Sequence, residues 1–183
     1  MKKIIILLTL AILQGCSSIP LSTMWKMKSF DEDDFNQIRA QDLRVKFRTD
    51  KYVDVTEKSL TLQLKFSSND EAHESKFELE QIEQGHETKD PWFRKEYKEF
   101  YSVLRLSPES MRSFKKLQRS AASLRDSSKN VEFIVNFGFG ENEPESYIMS
   151  IDLLLNPNQG YFTLFDEVPF GVKNIEKLNK ENS

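Results

Sequence analysis

The sequence predicts an α+β, mainly antiparallel β domain, and three observations carry that expectation. Apolar and polar residues alternate with period two through several segments, the pattern of half-buried strands. Polar turns, rather than crossover helices, separate most of those segments, which favours antiparallel pairing. Only one helix start is strongly marked. Together they predict about seven strands in two meanders stacked like a sandwich, a main helix at about 107–125 and a short helix at about 29–39. One curved sheet wrapped on the main helix is the alternative geometry.

The N-terminus comes first in order. Met1-Lys2-Lys3 is a short basic start, and nine of the ten residues from Ile4 to Leu13 are apolar. Ten residues are too few to span a bilayer, which takes roughly 20, and the layout is that of an export signal. It ends in Leu13-Gln14-Gly15-Cys16. That tetrad resembles the lipobox of bacterial lipoproteins, with Gln14 replacing the usual small residue. The resemblance implies cleavage between Gly15 and Cys16 and covalent acyl chains on Cys16, and no other cofactor is expected. Ser17 in place of Asp implies sorting to the outer membrane, with the domain facing the periplasm. Cys16 is the only cysteine, so no internal disulfide can form.

Residues 1–15 then form a cleaved signal and 16–23 a short lipidated tether, leaving 24–172 as one globular domain and 173–183 as a polar tail. The mature chain of 168 residues is long enough to bury a core without staples. Loss of Lys2 and Lys3 takes the net charge from −3 to −5. A mildly acidic chain without a basic stripe argues against nucleic acid. Fourteen Phe suit an aromatic β-rich core, or a pocket for a hydrophobic ligand.

Met24 to Met27 reads as a short strand or an apolar plug. Ser29 and Glu32 have capping-box spacing, and Asp31 to Asp34 sit where carboxylates favour a helix dipole. Leu43, Val45 and Phe47 alternate with Arg44, Lys46 and Arg48. Leu60, Leu62, Leu64 and Phe66 alternate with Thr61, Gln63 and Lys65. Lys76 to Ile82 is a third strand. Gln84 to Lys95 reads as a loop carrying Trp92 and Phe93, which serve either as a binding edge or as a lid on the core. Tyr97 to Leu106 returns to strand.

Ser107-Pro108-Glu109 places a cap, a first-turn proline and an acid in the order that starts a helix. Met111, Phe114, Leu117, Ala121 and Leu124 form its apolar stripe. Arg112, Lys115, Lys116 and Arg119 form a basic face, which is a solvated surface or a contact for an acidic partner. Val131 to Phe139 alternates again. Tyr147 to Leu155 is apolar on both faces and reads as a central strand, and Asp152 is its one acid. Tyr161 to Phe165 returns after an Asn-Pro-Asn-Gln-Gly turn, and Val168-Pro169-Phe170 closes the domain.

No nucleophile elbow, phosphate loop or dinucleotide fingerprint is present. His73 and His86 stand alone in polar segments, short of the three or four ligands a zinc site needs. No metal and no catalytic residue is expected. The expected function is a periplasm-facing interaction or assembly module of the envelope, held to the membrane by its lipid and meeting a protein partner. The candidate partner-binding residues are Trp92, Phe93, Arg112, Lys116 and Arg119. A carrier or sensor of a hydrophobic ligand is the alternative, and a cell-wall or glycan hydrolase the third reading.

Overall fold

The computed structural model describes residues 19–55, 61–67, 72–92, 95–123, 130–136 and 144–171. Their elements run α1 (Leu21–Lys28), α2 (Glu32–Gln37), β1 (Arg44–Thr49), β2 (Thr61–Ser67), β3 (Ala72–Lys89), β4 (Tyr97–Leu106), α3 (Pro108–Ser123), β5 (Asn130–Asn136), β6 (Ser146–Leu154) and β7 (Phe162–Gly171). A single 3-10 turn at Pro157–Gln159 joins the last two strands.

The mainly antiparallel β class holds, and the described strands join into one sheet in the order β5-β2-β3-β4-β1-β6-β7. The two-meander sandwich therefore gives way to the curved-sheet geometry, and β3 is the reason. Its first half pairs with β2, from Ala72↔Ser67 to Glu78↔Thr61, and its second half with β4, from Leu79↔Leu106 to Lys89↔Tyr97. One 18-residue strand thus welds the two groups that would have been separate sheets. The register shifts between Gln81 and Glu83. An extra residue on one strand bends it and raises the local twist, so the sheet curls at Ile82.

The curl encloses the helices. Val45 and Phe47 of β1, Leu104 and Leu106 of β4, Phe77 and Leu79 of β3, and Ile151 and Leu153 of β6 all bury on one face. Phe114 of α3 meets Phe35 of α2 at 5.4 Å and Phe77 at 5.6 Å between ring centroids. Met111 and Leu117 pack against the same core, as the helical stripe requires. Ala121's side chain and Leu124 lie outside the described residues.

The caps differ in part from those the sequence suggests. Ser107 caps α3 as expected, its Oγ accepting from the Ser110 amide at 3.2 Å. α2 is capped by Asp31, not Ser29. Asp31 Oδ1 accepts from the Asp34 amide at 2.9 Å, and Asp34 Oδ2 accepts in return from the Asp31 amide at 3.3 Å. Carboxylates satisfy two orphan amides there and also face the positive helix end. Ser29 instead donates to the Lys26 carbonyl, closing α1. At the other end of α2, Gln118 Nε2 donates to the carbonyls of Phe35 and Ile38, both at 2.8 Å.

The strand or plug expected at Met24 to Met27 is a helix that begins at Leu21, inside the segment read as tether. The Pro20 carbonyl accepts from the amides of Thr23 and Met24, so proline starts this helix from outside. The strand expected to be central, β6, lies between β1 and β7, one place from the edge. The tail at 173–183 lies outside the described residues.

Candidate functional site

The face of the sheet turned away from the core carries the charged half of each alternating strand. On β1, Arg44, Lys46 and Arg48 point there, so their partners on β4 are Arg105, Val103 and Tyr101. Arg48 is the centre. Its Nε donates to Asp152 Oδ2 at 2.6 Å and its Nη2 to Asp152 Oδ1 at 3.0 Å. Its Nη1 donates to Glu99 Oε1 at 3.0 Å. Asp152 Oδ1 also accepts from Thr163 Oγ1 at 2.7 Å. Asp152 is 7% and Glu99 8% exposed, so both carboxylates are buried, and they share one guanidinium. Burial alone would lower the Arg48 pKa, but Asp152 and then Glu99 outweigh it and raise the pKa above its ordinary value.

The network continues outward into solvent. Glu99 Oε2 meets Lys89 Nζ at 3.4 Å, and Lys89 Nζ meets Glu87 Oε2 at 2.7 Å. Lys46 reaches Glu87 at 3.9 Å and lies 4.5 Å from the centroid of the Tyr101 ring. The Tyr101 hydroxyl donates to Glu83 at 3.0 Å, and that bond raises its pKa. Asp152, the unusual acid of its strand, is thus an ion-pair partner held by three side-chain donor atoms.

Beside Arg48 an open cleft of about 370 Å³ is lined by Arg48, Asp50, Lys95, Glu96, Glu99 and Glu167, with Tyr97 and Ile148 among its apolar walls. Its floor is well bonded. Asp50 Oδ1 accepts from the Ile148 amide at 2.7 Å. Ser150 Oγ accepts from the Glu167 amide at 2.9 Å and donates to Asp166 Oδ1 at 3.2 Å. Glu167 has φ +47°, in the left-handed region that non-glycine residues rarely occupy. It lies where the β6–β7 register shifts, and the Ser150 hydroxyl supports that irregularity. Two cations against four carboxylates give the six charged lining residues a net charge of −2.

Trp92 belongs to the same end of the sheet. It sits in the short connection between β3 and β4, three residues ahead of Lys95 on the cleft wall, and is 95% exposed. Of the two expectations for this aromatic, the structure places it outward rather than as a lid. Phe93 lies outside the described residues. The other candidate residues are elsewhere. Arg112, Lys116 and Arg119 are exposed on α3, which follows directly from the opposite end of the β3–β4 ladder. Ten residues of strand separate the two ends, or ~33 Å at the strand rise. The basic face and the Trp92 turn are therefore not one patch.

Sequence reasoning missed the cleft. Gln84 to Lys95 reads as loop, and nothing in it signals that Lys89 belongs to a strand or that Lys95 and Glu96 face Arg48. The anomaly of Asp152 on an apolar strand is the one signal that pointed there. His86 stacks against Phe100, 6.0 Å between centroids. No group of three or more potential metal ligands occurs among the described residues. None of their helices is long and apolar enough to cross a membrane.

No family model, no curated protein and no solved structure matches this chain.

Proposed function

We propose that the chain is a lipid-anchored interaction module of the cell envelope, and that its recognition site is the end of the sheet formed by Trp92 and the Arg48–Glu167 cleft. The observation that carries this reading is the exposure of Trp92 in the β3–β4 connection, at the end of the sheet that carries the acidic cleft. An indole that is 95% exposed leaves most of its apolar area available to a partner, and aromatic anchors of this kind dominate binding energy at protein interfaces. The lining charge suits a partner segment that carries Lys or Arg. Such a cation could enter the cleft among Asp50, Glu96 and Glu167 while Trp92 covers its aliphatic stem.

Anchoring rests on the lipobox, with Cys16 acylated and the domain in the periplasm on the outer membrane. Phe35, Phe77 and Phe114 fill the space between sheet and helices by contact with one another, which favours this reading over the carrier. Arg48 engages both Asp152 and Glu99, which favours it over the hydrolase.

The experiment is detergent co-purification of tagged, full-length protein from its own envelope, run in parallel with Trp92→Ala and Glu167→Gln variants. A stoichiometric protein lost from both variants, with their melting temperatures within a degree or two of wild type, is the expected result. Retention of every partner by both variants would overturn the assignment of the site.

A further inference from the structure

We infer that α1 is a membrane-contact helix, whose exposed Leu21 and Met24, with Ile19 just ahead of them, seat the domain on the lipid bilayer into which Cys16 is anchored. The inference rests on the lipid-anchor reading and adds a second, non-covalent contact of fixed orientation. Thr23 is buried and donates through Oγ1 to the Thr163 carbonyl of β7, and Met27, one turn on, packs against the core. Leu21 lies opposite Thr23, and Met24, at the i, i+3 spacing that makes neighbours on a helix, continues that outward side along the flank above Met27. They are 74% and 55% exposed, and Ile19 just before them is 41% exposed. These are three of the large apolar side chains that the described residues leave in water, two on the outward side of α1 and one just ahead of its first turn.

Position says what covers them. Cys16 precedes Ile19 by three residues, so its Cα lies within ~11 Å of Ile19 however the chain runs between them. Acyl chains on Cys16 hold that point at the membrane surface, and the exposed face of α1 is then within reach of the headgroup and upper acyl region. The α1 side that meets β7 is fixed by Thr23, so contact through Leu21 and Met24 would also fix which way the sheet faces.

Acylation removes the only native thiol, so a new cysteine can be labelled alone. Full-length Met24→Cys and Lys98→Cys, the latter exposed on β4, are labelled with an environment-sensitive nitrobenzoxadiazole probe. They are reconstituted into phosphatidylethanolamine–phosphatidylglycerol vesicles with or without lipids brominated on their acyl chains. The expected result is blue-shifted emission and bromolipid quenching at position 24, with neither at position 98. Water-like emission at 24 from protein whose mass shows an acylated Cys16 would overturn the contact and leave the anchor standing. A Cys16 that labels in the wild type and carries no acyl mass would remove the anchor, and the contact with it.

Discussion

Arg48 on β1 and Asp152 on β6 are joined by two near-parallel hydrogen bonds, although they do not sit directly opposite each other. The residue across from Asp152 is Lys46, and the residue across from Arg48 is Ser150. The guanidinium reaches diagonally, and the same reach brings it to Glu99 on the other neighbouring strand. One side chain therefore ties three adjacent strands of the outer face.

Removing that side chain takes the shared cation from two nearly buried carboxylates, leaving Asp152 with only the Thr163 hydroxyl and Glu99 with only Lys89 at 3.4 Å. Arg48→Met should cost on the order of 3 kcal/mol, the usual price of leaving buried charges unpaired. Neutralising the acids in the same background, with Asp152→Asn and Glu99→Gln, should recover most of it. Urea titrations of the single and triple variants test this. Equal stability of the two would show that Arg48 is a surface ion pair of little consequence.

Phe114 is fully buried and touches an aromatic ring on each side, Phe35 of α2 and Phe77 of β3. Phe114→Ala should destabilise by about 3–5 kcal/mol, because the cavity lies between three elements that cannot all collapse into it. Phe114→Leu, retaining most of the volume, should lose clearly less. The comparison is read from chemical denaturation midpoints at a common slope.

Gly85 is needed for closeness, not for backbone freedom. A Cβ there would lie 2.7 Å from Tyr101 Oη and 2.8 Å from its Cζ. Gly85→Ala should push the ring aside, loosening its bond to Glu83 and its contact with Lys46, for a loss of about 1 kcal/mol. In a Tyr101→Ser background the loss should disappear, since alanine is otherwise the better strand residue. A loss unchanged by Tyr101→Ser would place the clash elsewhere.

The Glu87–Lys89 pair makes a pH prediction. The hydrogen bond from Lys89 holds the Glu87 pKa below the ordinary glutamate value, and the bond to Glu87 holds the Lys89 pKa above the ordinary lysine value. A depressed acid stabilises the fold above its unfolded pKa, about 4.3, and that part fades as pH falls through the lowered value. A raised base stabilises it below its unfolded pKa, about 10.4, and that part fades as pH rises through the raised value. Glu87→Gln should therefore be less stable than wild type at neutral pH and indistinguishable from it well below pH 4. Added salt should shrink the neutral-pH difference, because the pair lies in solvent. A difference that survives at pH 2 would not come from this charge.

The strands with a buried face were legible because burial writes period two into the sequence. β1, β4 and β6 fall within a residue of where alternation places them. The second half of β3 was not legible. Glu83, Glu87 and Lys89 lie on the charged outer face, while Gln84 and His86 on the other side lie beyond the main core. With no apolar face the segment shows no hydrophobic period, and its ladder with β4 alone makes it a strand. α1 was hidden for a different reason. Leu21 and Met24 face outward, so the apolar residues of this helix do not form the single inward stripe by which helices are read. In the site, Asp152 was flagged by its setting, but its partner Arg48 sits 104 positions away in sequence, and only the pairing of β1 with β6 brings the two together.

β1 is flanked on both sides by strands that come much later in the chain. Its partner β4 begins about fifty residues on and β6 about a hundred. A polypeptide leaving a narrow exit N-terminus first, whether a ribosome tunnel or a translocation pore, would deliver Arg44–Thr49 early and leave it without either neighbour until most of the chain had emerged. The middle of this sheet consequently closes only once β6 has emerged, with β7 alone of the described strands still to follow. Long-range pairing of that kind slows folding, so the nascent protein must pass through an interval in which Val45 and Phe47 are uncovered and a holding factor has something to hold.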